Sequence, residues 1–241
     1  MKTFILLAAA LLPPILLWVY IWRKDSKPEP VGWLIKAVLY GMVICIPVAL
    51  LETEIDSILF GVDGNPTTLF GTTIQAFFVA ALPEEGFKLL ALWLVLRKNP
   101  YFDEHFDGII YAVCVGLGFA AVENVFYVFN NAENWITVVL SRSLLAVPGH
   151  YAFAVLMGYY YSLYHFVIRS SKVRAGILLS PFLAHGVYDA LALSGTINIL
   201  VGGICFFILI HFCIQMQKEA EGKVLAMIER DRMRDNAASS V

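Results

Sequence analysis

Apolar stretches of membrane-spanning length recur along the whole chain, and this constrains the fold more than any single motif. Seven can be marked, over residues 3–22, 32–51, 69–96, 107–129, 136–168, 174–193 and 197–216. About 20 consecutive apolar residues suffice for a helix to cross a bilayer. The chain is 59% hydrophobic and 15% charged, whereas a soluble domain is nearer a quarter charged. The expectation is therefore an all-α integral membrane protein of about seven transmembrane helices. The fifth stretch reads as broken at Pro148-Gly149. The first has Lys2 ahead of an apolar core, as a signal peptide would. It is long, however, and lacks a small-x-small cleavage pattern before "WRKD", so it reads as a retained span.

Basic residues set the expected orientation. The segments "WRKDSKPEP", "RKNPYFDEHF" and "RSSKVR" and everything after Gln217 carry Lys and Arg, whereas 52–68, 130–135 and 194–196 carry none. By the positive-inside rule this places the N-terminus outside and the C-terminus in the cytoplasm. Residues 1–68 read as two spans with loops, 69–193 as a four-span catalytic core, 194–216 as a last span and 217–241 as a charged cytoplasmic tail, helix-prone over 217–235 and solvated or interfacial. No basic face suits a nucleic acid. Cys45, Cys114, Cys205 and Cys213 all lie in apolar stretches and form no CxxC pair, which argues against a disulfide framework or a cysteine zinc site.

Ionisable groups inside spans are costly and mark function by default. Here they are Glu84, Glu85, Lys88, Glu123, Arg142, His150, His185 and Asp189. At about 1.5 Å per residue, Glu84 lies about 20 Å from the cytoplasmic edge, His185 about 16 Å, Glu123 about 24 Å and His150 up to about 28 Å. All four could meet between the midplane and the outer half of the bilayer. Each also has a plain structural reading. Glu84 and Lys88, and His185 and Asp189, are i, i+4 pairs that would satisfy one another on a helix. Glu85 projects about 100° round the helix from Glu84, which predicts that one partner cannot serve both. Pro83 predicts a break or kink just before them, which would leave both glutamates in a first turn where free amides favour carboxylates. Asp107 reads as a helix cap, and Gly116, Gly118, Ala120 and Ala121 as sites of close helix approach.

Taken together, at least three carboxylates and two histidines on four spans can activate a water or bind a cation. HExxH is absent; "GLGF" is not the GxGD of presenilin-type proteases, and "LSGT" is not the GxSG of rhomboids. A transporter or channel with a buried ion site would use the same charges, although no internal repeat supports one. A haem protein would use His150 and His185 but leave Glu84 and Glu85 without a purpose.

The segments "PEEGFK", "FDGIIYAVCVGLGFAAVEN", Arg142 with "PGH" at 148–150, and "HGVYD" resemble the PrsW-type membrane proteases over about residues 70–192. These are distant relatives of the CAAX-prenyl endopeptidase and bacteriocin-processing superfamily. The resemblance implies a hydrolase of the bacterial cytoplasmic membrane that cuts a single-span, anti-sigma-factor-like protein near its extracytoplasmic side. It implies Glu84 and Glu85 as the acidic pair, His150 and His185 as the essential histidines, Asp189 at the HxxxD position and Glu123 in the EN motif. A Glu carboxylate can shuttle the water proton, and the histidines can bind zinc or donate to the oxyanion. The expected zinc shell is His150, His185 and Glu123, with Glu85 as an alternative ligand and Asp189 orienting His185.

Overall fold

The computed structural model describes residues 2–61 and 66–239, and among them every regular element is helical. The helices are α1 (Lys2–Trp22), α2 (Val31–Phe60), α3 (Leu69–Ile74), α4 (Leu82–Leu96), α5 (Asp107–Asn130), α6 (Trp135–Ser141), α7 (Val147–Ser162), α8 (Ser171–Leu193) and α9 (Ile199–Ser239). Six helical stretches are long and apolar enough to cross a membrane, by length and composition. Residues 69–96 form a further continuous helical stretch with Glu84, Glu85 and Lys88 in it, and stand outside that set. The protein is an all-α integral membrane protein.

The expected breaks at the two prolines are not breaks. A π-helical segment, Gln75–Ala81, joins α3 to α4, and another, Arg142–Ala146, joins α6 to α7. Each ends just before a proline: Leu82 N–H reaches Phe77 O ahead of Pro83, and Val147 N–H reaches Arg142 O ahead of Pro148. The physical reason is local. Proline lacks an N–H and its ring presses on the carbonyl four residues back. Widening the preceding turn to i→i+5 bonds lets the chain pass without stopping.

Helix α5 is the centre of the bundle. Its residues from Asp107 to Ala120 are all buried, and α1, α2, α4 and α7 pack around it. The approach is as close as the small residues suggest. A Cβ added to Gly118 would lie 2.3 Å from Val38 O of α2, and one added to Gly158 of α7 would lie 2.4 Å from Gly108 O of α5. The backbones of these three helices therefore touch, as in small-residue packing between membrane helices.

Two boundaries differ from expectation. Helix α2 runs for 30 residues to Phe60, so part of the expected 52–68 loop is helix; positions 62–65 of that loop lie outside the described residues. The division at 216/217 is also not seen. Helix α9 is one element of 41 residues, and Ala220, Val224 and Met227 on it are fully buried. Their i, i+4, i+7 spacing makes an apolar stripe within a charged segment, and that stripe packs into the main core.

The basic loops meet at one end of the molecule. Lys27 bonds Glu104 at 2.8 Å and Asp235 at 2.6 Å, and Arg234 donates to Asp103 O at 2.5 Å. Asp107 does not cap α5. Its carboxylate accepts the N–H groups of Asp103 and Glu104 and shapes the preceding loop, while Asp231 of α9 accepts from the N–H groups of His105 and Phe106.

Candidate active site

The helix passing through Pro83 carries Glu84, Glu85 and Lys88 into the interior, where none is more than 6% exposed. His150 on α7 and His185 on α8 are 5% and 3% exposed. Lys88 Nζ lies 2.8 Å from Glu84 Oε2 and 2.8 Å from Glu85 Oε1. One partner thus does serve both glutamates. It stands i+4 from one and i+3 from the other, and its flexible stem brings the ammonium between them. The Phe119 ring lies 4.4 Å from the same ammonium, a cation–π contact that helps hold a desolvated charge.

A chain of contacts runs outward from this ammonium in two directions. On one side His150 Nδ1 is 3.2 Å from Lys88 Nζ, and His150 Nε2 is 2.7 Å from Glu123 Oε2. An ammonium has only donors, so Nδ1 accepts and Nε2 carries the proton given to Glu123. Glu123 Oε2 is also 2.8 Å from Arg142 Nη2, and Arg142 Nε donates to Asn124 Oδ1 at 2.5 Å. On the other side Glu85 Oε1 is 2.9 Å from His185 Nδ1, and His185 Nε2 is 3.2 Å from Asp189 Oδ2. The i, i+4 contacts of Glu84 with Lys88 and of His185 with Asp189 therefore exist, but inside a larger network that joins four helical stretches.

Among the described residues, the ligand atoms of Glu84, Glu85 and His185 lie within 4.8 Å of one another. The group of His150, His185 and Glu123 expected from the sequence does not gather in this way. Glu123 Oε2 is instead engaged by both Arg142 and His150, while His185 turns to Glu85 and Asp189. Glu85 Oε2 is buried and has no hydrogen-bond partner. Two carboxylates, an imidazole and one unused buried oxygen are a donor set that fits a divalent cation, and the Lys88 ammonium already marks the place as one for positive charge.

A cavity of about 1060 Å³ adjoins the cluster. Glu84, Glu123, Arg142, His150, His185 and Asp189 face it, and its walls continue to Asp56, Asn130, Asn131 and Gly195. Those last four residues close α2, α5 and α8 at the end opposite the basic loops. Glu85 is fully buried and stands behind Glu84 rather than on the cavity wall. One wall residue, Glu52, falls in the 52–68 segment that the sequence marks as a loop. Its signal was present in the spacing of Cys45, Val48, Glu52 and Asp56, which continues one helix face past residue 51.

A family described as PrsW family intramembrane metalloprotease matches residues 29–214. Several curated relatives carry the name Protease PrsW. The one from Clostridioides difficile is 37% identical over 186 residues, covering 75% of this chain and 76% of that protein. The one from Oceanobacillus iheyensis is 33% identical over 186 residues, covering 76% and 81%. The one from Bacillus subtilis is 30% identical over 189 residues, covering 77% and 82%. No solved structure matches the chain. The match spans the helices that assemble the buried carboxylates and histidines, and on it this chain belongs to the PrsW family of intramembrane metalloproteases.

Proposed function

We propose that the protein hydrolyses a peptide bond in a single-span, anti-sigma-factor-like membrane protein near its extracytoplasmic side, with Glu84 as the base that activates water. The observation that carries this is the split between the two glutamates. Glu84 faces the cavity, while Glu85 is sealed behind it. A group that trades protons with water must reach water, and a group that holds an ion or a neighbour in place need not.

Metalloprotease family membership implies a metal, and Glu85 and His185, with Glu84 beside them, are the residues that would hold it. Carboxylate and imidazole donors suit zinc. The chemistry such an ion supplies is Lewis acidity toward water and the scissile carbonyl. The chain's own groups do the rest. Glu84 takes the proton of the attacking water and returns it to the leaving amine. Asp189 holds Nε2 of His185 and so fixes which nitrogen faces the glutamates. His150, on the cavity wall and bonded to Glu123, can turn its Nε2–H toward a developing oxyanion.

The side of the cut follows from where the cavity leads. It runs to the end of the bundle whose loops lack Lys and Arg, which is extracytoplasmic by the positive-inside rule. In this reading the chain crosses the membrane seven times, with 69–96 as the charged span. A substrate helix keeps its amides internally bonded and has to unwind to offer a carbonyl. Water at that end of the cavity can satisfy the freed groups.

The test is Glu84→Gln in proteoliposomes with a single-span substrate, read by mass spectrometry of the products. The expected result is a folded, inserted protein with cleavage reduced by about 10²-fold or more, and wild-type cuts in the extracytoplasmic half of the substrate span. Normal turnover by Glu84→Gln removes Glu84 from the mechanism. Cuts on the cytoplasmic side overturn the orientation.

A further inference from the structure

We infer that Glu52 is a specificity-determining residue that pairs with a Lys or Arg side chain of the substrate, on the extracytoplasmic side of the scissile bond. The inference rests on the protease reading and names the class of substrate it selects.

The carboxylates on the cavity wall are Glu52, Asp56, Glu84, Glu123 and Asp189. Four have partners from the protein. Asp56 accepts from Gln75 Nε2 at 2.9 Å, Glu84 pairs with Lys88, Glu123 with Arg142 and His150, and Asp189 with His185. Among the described residues, Glu52 has no hydrogen bond or ion pair, and its Oε1 is buried. An unpaired carboxylate at this depth is costly. The described residues supply no hydrogen-bonding or ionic partner for it, while each other acid on the same wall has one. The partner therefore enters with what fills the cavity, and a carboxylate that accepts at both oxygens is best served by a basic side chain.

Depth fixes where that side chain belongs. Val48 packs with Phe119, whose ring lies against the Lys88 ammonium, so Val48 marks the level of the catalytic cluster. Glu52 is one helical turn further toward the end of α2, about 6 Å. An unwound, extended substrate rises about 3.3 Å per residue. The basic residue thus sits about two residues from the cut. Basic residues are uncommon just outside a span on the extracytoplasmic side, so such a contact would discriminate well among membrane proteins.

The experiment measures binding and cleavage separately. Three synthetic single-span peptides, alike except for Lys, Gln or Glu about two residues outward of the cut, are titrated into full-length Glu84→Gln protein in nanodiscs by fluorescence anisotropy. The Lys peptide is expected to bind about tenfold more tightly than the Gln peptide, the range of a partly buried charge pair. Adding Glu52→Gln should remove that difference by weakening the Lys peptide alone, and adding Glu52→Lys should reverse the order in favour of the Glu peptide. A Lys-to-Gln ratio unchanged by Glu52→Gln, or equal weakening of both peptides, overturns the role. Cleavage is followed in parallel with the Glu84-bearing protein. Preference without cleavage would sustain Glu52 and sink the hydrolytic reading, and cleavage without preference would do the reverse.

Discussion

Lys88 Nζ lies 2.8 Å from Glu85 Oε1, and these side chains are 4% and 0% exposed. The same ammonium is 2.8 Å from Glu84, so it contacts both glutamates at once. Lys88→Met leaves two carboxylates facing each other without it. Removing one partner of a buried ion pair costs about 3–5 kcal/mol, so the thermal midpoint in detergent should fall well below that of the parent. A divalent ion should recover part of the loss, because Glu84, Glu85 and His185 remain. A midpoint unmoved by Lys88→Met would mean that the ammonium does not hold the pair.

Gly186 lies beside His185 on α8, and a Cβ there would meet the Phe77 ring at 2.3 Å. Phe77 belongs to the π-helical segment that delivers Glu84 and Glu85. Gly186→Ala adds one methyl and removes no chemical group, yet it must push that segment away from His185. Overpacking of this kind costs about 1–3 kcal/mol. Cleavage should drop at least tenfold, a size that small misplacements of reacting groups reach. Parent-like kcat in Gly186→Ala would show that the contact yields without moving the glutamates.

Stability should depend on pH through the loop before α2. Glu29 is 6% exposed and takes a short hydrogen bond from the Tyr111 hydroxyl. Burial pushes its carboxyl from the usual carboxylate range up to about 7, with the Asp25 charge adding to the rise and the Tyr111 bond opposing it. Asp25 is raised for the same main reason. An acid raised in the folded state holds its proton there while the unfolded chain has lost it. The stabilising contribution is therefore full below the ordinary Glu range and disappears as pH rises through about 7. The thermal midpoint should be higher at pH 5 than at pH 8, and Glu29→Gln should flatten that slope. A slope unchanged by Glu29→Gln assigns the effect elsewhere.

Truncation after Gln217 separates a tail from a structural element. A solvated tail would be dispensable. In this fold the cut removes Ala220, Val224 and Met227 from the core and Asp231 from the amides of His105 and Phe106. Loss of three buried side chains should cost several kcal/mol in all, at roughly 1–3 kcal/mol for each. The truncated chain should therefore be recovered in low yield or unfold at a lower temperature than the parent. Equal midpoints for the two chains would return the segment to the role of a tail.

Much of this architecture is legible in the residues, for an identifiable reason. Hydrocarbon makes every buried charge conspicuous, so Glu84, Glu85, His150 and His185 stand out against apolar runs, and the structure brings all four together. The details that stayed hidden depend on neighbours far away in sequence. That Arg142 engages Glu123 follows from the meeting of α5 with the segment after α6, which no local pattern records. The ends of α2 and α9 were missed because hydropathy falls at residues 52 and 217 although the helical face continues. Glu52 and Asp56 repeat the face of Cys45 and Val48, and Ala220, Val224 and Met227 make a narrow stripe among charges. The widened turns stay hidden because a proline in the sequence reports only the lost donor, not how the chain accommodates it.

Those widened turns make the candidate active site sensitive to insertions and deletions as well as to substitutions. Each residue of an ordinary helix turns the chain by about 100°. Removing any one residue from Gln75–Ala81 would leave the whole cluster of acids and histidines intact in composition, yet rotate Glu84 and Glu85 by that angle relative to Leu69–Ile74. The same holds for Arg142–Ala146 and the placement of His150. On the roles proposed above, Glu84, Glu85 and His150 are thus held in phase by residue count, and a gap of a single codon in either segment should silence the protein while sparing every one of them.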